Sequence, residues 1–128
     1  MSLALDTNAY SDFVRGDQRI ADLLNSADVV YLPVIVVGEL KQGFYFGSKV
    51  KTNIEALQKF IAKPRTRILD ITEETAEYYG HAVAYLKQNG TPIPINDIWI
   101  AALCLQYHVP LLTRDSDFRN LPQLTLVS

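Results

Sequence analysis

Ser2-Leu3-Ala4-Leu5-Asp6-Thr7-Asn8 is the stretch on which the fold turns. Its short apolar run reads as a buried strand, and the strand ends directly in a carboxylate. The same grammar returns near the other end of the chain, where Val109-Pro110-Leu111-Leu112-Thr113-Arg114 leads into Asp115. In an open parallel sheet, ligands bind in the crevice beyond the carboxyl ends of the strands, so acids at those ends face a site rather than bulk water. Two further acids lie where apolar runs meet helices: Glu39 inside Val34 to Leu40, and Asp97 just ahead of Ile98. A fold that gathers Asp6, Glu39, Asp97 and Asp115 at one end makes a metal site.

Working outward from the first strand, Thr7-Asn8 opens a helical stretch to Arg15, Gly16 breaks it, and Asp17 begins a second helix with Ile20, Leu23 and Leu24 on one face. Val29 to Leu32 reads as a second strand. Pro33 suits the first turn of the next helix, which carries Ile35, Val36, Leu40 and Phe44 at helical spacing. After Gly47-Ser48, the positions Val50, Ile54, Leu57, Phe60 and Ile61 continue as an amphipathic helix up to Pro64. Arg67 to Ile71 reads as a third strand. Thr72-Glu73-Glu74 is a capped helix start with acids where the helix dipole favours them, and that helix should run to about Asn89-Gly90. A loop, Thr91-Pro92-Ile93-Pro94, precedes a helix capped by Asn96 or Asp97 and apolar on most sides, hence central. Strands at Leu111 to Thr113 and Leu124 to Val127 complete the chain. Strands alternating with helices imply right-handed crossovers and a parallel sheet covered on both faces, an α/β sandwich. With no repeat, low-complexity tract or linker, residues 1–128 are expected to form one domain.

Composition narrows the class. At 128 residues, 48% hydrophobic and 20% charged, the chain can bury a core of its own and reads as an ordinary globular protein. Its longest apolar stretches, Val29 to Val37 and Ile98 to Leu105, are too short to cross a bilayer, and no secretory signal is expected at the N-terminus. Cys104 is the single cysteine, so no intrachain disulfide can form, and the cytoplasm is the expected compartment. Net charge is -2, unevenly spread. From Lys41 to Arg67 there are seven cations (Lys41, Lys49, Lys51, Lys59, Lys63, Arg65, Arg67) against Glu55 alone, a balance of +6, while five cations face thirteen acids elsewhere. A basic segment beside an acidic cluster suits a phosphodiester enzyme, because cations hold the backbone while carboxylates hold metal. The same lysines also suit the solvated face of a helical hairpin.

Four blocks together carry a family resemblance: Leu5-Asp6-Thr7-Asn8, Val37-Gly38-Glu39-Leu40, Asn96-Asp97-Ile98-Trp99-Ile100-Ala101-Ala102 and Leu112-Thr113-Arg114-Asp115-Ser116-Asp117-Phe118. In order and approximate spacing they resemble a PIN-domain nuclease, most closely the VapC-type toxins of type II toxin-antitoxin pairs. The resemblance covers essentially the whole chain. It implies a three-layer α/β sandwich with a five-stranded parallel sheet in the order 3-2-1-4-5 and metal-dependent endoribonuclease activity. It also implies an RNA substrate, a small VapB-like antitoxin partner that blocks the site, and a homodimer.

Within that resemblance, Asp6, Glu39, Asp97 and Asp115 are the candidate catalytic residues and metal ligands, with Asp117 a possible fifth ligand through water. Three of them have a plainer alternative. Asp6 could cap the first helix, Asp97 the helix at Ile98, and Asp117 the turn containing Phe118. Glu39 has apolar neighbours, and an unpaired buried glutamate needs a cation, a hydrogen-bond network or an exposed end. Clustered anions with no lysine or arginine among them call for a hard divalent cation, and oxygen-only ligation favours Mg²⁺ or Mn²⁺ over zinc. Thr113 and Asn8 could orient water or a ligand carboxylate, and Arg114 could meet substrate phosphate; Thr113 is equally at home as an ordinary strand residue. His81 and His108 lack ligand-like spacing and belong at the surface or at helix ends, and Cys104 belongs to the core. Among Phe44, Tyr45 and Phe46, at least one ring should face outward, open to an antitoxin helix or a symmetry mate. Two other functions use similar parts: a metal-dependent phosphatase or phosphoryl-transfer enzyme with Asp6 as nucleophile, and a noncatalytic binding module on the same fold.

Overall fold

A computed structural model describes residues 1–128 and places five parallel strands in one sheet. They are β1 (Ser2–Leu5), β2 (Val29–Pro33), β3 (Thr66–Leu69), β4 (Leu111–Leu112) and β5 (Leu126–Val127), in the order β3-β2-β1-β4-β5. Six helices connect and flank them: α1 (Thr7–Val14), α2 (Gln18–Ser26), α3 (Val34–Phe46), α4 (Val50–Ile61), α5 (Glu73–Gln88) and α6 (Ile95–Tyr107). This is the α/β sandwich and the strand order expected. None of the helices is long and apolar enough to cross a membrane.

The order has a functional consequence. The chain builds outward from β1 through β2 to β3, then returns to the other side of β1 for β4 and β5. The strand order therefore reverses between β1 and β4, and a crevice opens beyond the carboxyl ends at such a switch point. Register puts Leu5 opposite Leu112, so Asp6 and Thr113 emerge side by side there. The strands are short, and at the centre of the sheet their apolar residues Leu3, Ala4, Leu5, Leu32, Leu111 and Leu112 are buried. α6 is the central helix, with Ile98 and every residue from Ile100 to Cys104 buried, which is what its near-continuous hydrophobicity requires.

Several boundaries differ from the sequence reading, each for a local reason. β3 spans Thr66–Leu69 rather than Arg67 to Ile71, because its partner β2 ends at Pro33, which pairs with Leu69. β4 and β5 keep two residues each; Thr113 still donates to the Val127 carbonyl, but Leu124 is drawn into a turn onto Leu121. Pro33 is the last residue of β2 and the N-cap of α3 rather than lying in its first turn. The largest shift in meaning is at α6. Pro94, with φ near -56°, is its N-cap, and Ile98 N–H closes the first turn onto the Pro94 carbonyl. Neither Asn96 nor Asp97 caps the helix; both lie inside its first turn. At α5 the reading holds, since Thr72 caps the helix and donates its own N–H to the Thr75 hydroxyl oxygen in a capping box.

Candidate metal centre

Each acid reaches the carboxyl edge by a different local device. Asp6 follows β1 and caps α1, accepting from Ala9 N–H at 2.8 Å through Oδ1, while Oδ2 accepts from the Thr113 hydroxyl. It is 5% exposed. Burial raises its pKa, the Thr113 and Ala9 hydrogen bonds oppose that rise, and Asp115 and Asp12 add to it. The capping role and a place at the site thus coexist in one carboxylate. Glu39, half-buried in α3, accepts from the Thr7 hydroxyl at 2.6 Å and from the Asn96 amide at 3.3 Å. These two bonds answer the requirement that a glutamate in an apolar helix find a network.

Asp97, Asp115 and Asp117 are arranged otherwise. One carboxylate oxygen from each lies within 4.8 Å of the others. Asp115 caps the 3-10 turn Ser116–Asn120 by accepting from Asp117 N–H at 2.9 Å, so the turn itself brings Asp117 back beside Asp115. The capping role suggested for Asp117 belongs to Asp115. Released from capping by Pro94, the Asp97 carboxylate accepts no hydrogen bond from the protein, and neither does that of Asp117. Burial pushes the Asp97 pKa up to about 6, with further contributions from Asp115, Glu39, Asp6 and Asp117 in that order. The other four candidate acids therefore all act on Asp97. No lysine or arginine forms an ion pair with Asp97, Asp115 or Asp117. Arg114, the nearest cation in sequence, turns to Asp17 with Nη1 at 2.7 Å and Nη2 at 3.2 Å, and to Asp12 at 3.5 Å.

This donor set fits a hard divalent cation. It contains only carboxylate oxygens, no histidine or cysteine enters it, and two of its members have no protein partner. Cys104 is buried, and its thiol is pushed up to about 12, mainly by burial. His81 pairs with Glu77 at 3.1 Å on the exposed face of α5, and His108 ends α6 in a left-handed turn with φ 55°. Neither histidine joins the acids.

The supporting residues fall out less evenly. Thr113 bonds Asp6 and also accepts from Asp115 N–H at 3.0 Å, tying two candidate acids together. Asn8 is exposed, makes no hydrogen bond to any acid, and lines a cleft of about 370 Å³ with Asp12, Arg15, Arg114 and Asp115. The amide that reaches an acid is that of Asn96, and the helping hydroxyl on Glu39 is that of Thr7; only their adjacency to Asp97 and Asp6 could have marked them. The basic segment is placed differently from its expected role. Arg65 donates to the Leu24 and Ala27 carbonyls and Arg67 to the Pro64 and Thr66 carbonyls, while Lys63 sits over the rings of Phe13 and Phe60. Lys63 and Arg65 precede β3 at the amino edge of the sheet, opposite the acids. Lys41, Lys49, Lys51 and Lys59 remain exposed. Of the aromatic run, Phe44 packs on the core while Tyr45 and Phe46 stand 65% and 83% exposed.

The sequence profile of the PIN domain matches residues 3–124. Toxin FitB of Neisseria gonorrhoeae is 33% identical over 122 residues, covering 89% of this chain and 88% of its own. Ribonuclease VapC1 of Haemophilus influenzae (strain R2866) is 28% identical over 130 residues, covering 97% and 95%. The solved structure of VapBC-1 from nontypeable Haemophilus influenzae is similar with a TM-score of 0.89 at 26% identity, covering 100% of this chain and 98% of that one.

Proposed function

The chain belongs to the PIN domain family, and on that premise we propose that it is a metal-dependent endoribonuclease, the toxin of a type II toxin-antitoxin pair, acting as one domain in the cytoplasm. The observation that carries this reading is the approach of Asp97, Asp115 and Asp117 to within 4.8 Å, with no cation among them. Named ribonuclease and toxin relatives matched along most of their length support it.

Asp97, Asp115 and Asp117 would hold Mg²⁺ or Mn²⁺ between them, with Asp6 and Glu39 alongside. A divalent ion bound there would supply Lewis acidity toward a phosphodiester oxygen and would lower the pKa of a bound water, making hydroxide more available for attack. The protein's part is to fix its acids. Thr113 and Ala9 N–H hold the Asp6 carboxylate in one rotamer, and Thr7 and Asn96 do the same for Glu39. No side chain is needed as nucleophile. A phosphoaspartate mechanism at Asp6 is disfavoured because both its oxygens are engaged and the residue is buried. A noncatalytic role would leave the close approach of Asp97, Asp115 and Asp117 without a purpose.

The exposed rings of Tyr45 and Phe46 at the end of α3 offer apolar surface to a helix of a small VapB-like antitoxin, and the chain is proposed to pair with itself as a homodimer. The direct test incubates purified protein with labelled structured RNA and, separately, an aryl phosphate, each with Mg²⁺, Mn²⁺ or EDTA. RNA cleavage only with metal is expected; turnover of the aryl phosphate alone would replace this reading with the phosphatase one.

A further inference from the structure

Six arginines occur in the chain, and four of them, Arg15, Arg19, Arg114 and Arg119, converge from distant positions on one margin of the acidic edge. Arg15 and Arg114 line the cleft of about 370 Å³ that ends at Asp115. On its other side Arg114 joins Arg119 in lining a second cleft of about 430 Å³, which also ends at Asp115 and runs to Ser128. Arg19 donates to the Ser128 carbonyl at 3.1 Å and 3.3 Å, closing that end. Arg114 is thus common to two clefts that both reach Asp115, one member of the carboxylate triad. The lysines of the basic segment have no such placement.

Arginine in these positions has a chemical meaning that lysine would not. Its planar fork meets two oxygens at once, which suits phosphate as well as carboxylate. Arg114 already displays that geometry on Asp17, through Nη1 and Nη2, and its side chain is 45% exposed, so an incoming anion can reach it. Asp12 is shared between Arg114 and Arg15. Arg119 makes no ion pair and is exposed.

We propose that Arg114, flanked by Arg15 and Arg119, binds the RNA backbone phosphate next to the one that is cut, and that Asp17 occupies its guanidinium until that phosphate arrives. This rests on the ribonuclease reading and extends it by giving the substrate strand a path across the β4 and β5 side of the site. Exchanging one doubly bonded anion for another keeps the guanidinium satisfied throughout, which makes the swap inexpensive. A rival role is a latch that ties the start of α2 to the exit of β4. The two roles differ in the sign of the Asp17 effect: a latch needs Asp17, whereas a phosphate ligand is held back by it.

The test measures anisotropy of a short fluorescein-labelled single-stranded RNA with the full chain in EDTA across a salt series, and KM and kcat for cleavage with Mg²⁺ or Mn²⁺. Arg114→Ala should weaken binding and raise KM about tenfold with kcat within about twofold. It should also lower the slope of log affinity against log salt by about 0.7, the loss of one phosphate contact on a single strand. Arg114→Lys, which keeps charge and loses the fork, should fall between, and Asp17→Asn should tighten binding about twofold. Unchanged KM and slope in a folded Arg114→Ala protein would overturn the proposal. So would an Asp17→Asn protein that weakens binding in step with Arg114→Ala. If the wild type binds RNA with the Arg114-dependent slope yet cuts none with any divalent ion, the phosphate site stands and the ribonuclease reading falls.

Discussion

The acidic site has two halves built on different principles. In the half carried by β1 and α3, Asp6 and Glu39 each accept two hydrogen bonds, from Ala9 N–H and Thr113, and from Thr7 and Asn96. In the half carried by α6 and the turn after β4, the Asp97 and Asp117 carboxylates accept none and Asp115 accepts one, from Asp117 N–H. The first half is finished by the fold. The second is finished only by something from outside, since its charges lie close together with no cation of the chain between them. A carboxylate saturated by fixed donors is preorganised and keeps its rotamer; one left open is free to coordinate.

Removing the open half should have the largest effect. Asp97→Asn or Asp115→Asn is expected to lower RNA cleavage on the order of a thousandfold with the fold intact. Metal-dependent cleavage at the wild-type rate in either purified variant, with an unchanged circular dichroism spectrum, would dismantle the assignment. Asp6→Asn belongs with them, and because asparagine caps a helix as well as aspartate does, its amide oxygen should keep the cap on α1. Thr113→Val attacks the link between the halves, because the hydroxyl both donates to Asp6 and accepts from Asp115 N–H. Cleavage should drop roughly 10- to 100-fold, the usual scale for a residue that orients a ligand. Thr7→Val, acting on half-buried Glu39, should cost less than Thr113→Val. If the order of those two is reversed, Glu39 and not Asp6 is the anchor of the preorganised half.

The difference between the halves also marks what could be read from the chain and what could not. Asp6 and Asp115 were legible because an apolar run ending in an acid is a local pattern, and Leu5–Asp6 and Thr113–Asp115 display it. The alternation of elements was enough for a parallel α/β sandwich, while the 3-2-1-4-5 order came with the family resemblance. Asp97 was placed correctly at a helix start but read as a cap, since nothing local announces that Pro94 caps α6 three residues upstream. Asp117 was the weakest candidate in the sequence, and the 3-10 turn that returns it to Asp115 is a matter of backbone geometry that no spacing rule reveals. Charge counting failed in an instructive way. A window sum finds Lys41 to Arg67, where Lys63, Arg65 and Arg67 serve ring faces and carbonyls, and cannot find Arg15, Arg114 and Arg119, which meet only after folding.

The smallest effect expected is one of stability, and it separates the halves without any substrate. Burial and four neighbouring acids raise Asp97 to about 6 from an ordinary value of 3.8. Between those two pH values the folded protein holds more protons than the unfolded chain, so metal-free stability should fall as pH rises from about 4 to about 6 and stay low above that. Because Asp97 is only half-buried, water screens the effect to about 1 kcal/mol, or about 4 °C in Tm for a chain of this size. Asp97→Asn should therefore raise Tm in EDTA at pH 7.5 and leave it nearly unchanged at pH 4. Adding Mn²⁺ at pH 7.5 should raise the wild-type Tm and move the variant little, since binding to the folded state alone stabilises it. A variant no more stable than the wild type in EDTA would mean that the open half is not under electrostatic strain, and the contrast between a finished and an unfinished half would lose its physical basis.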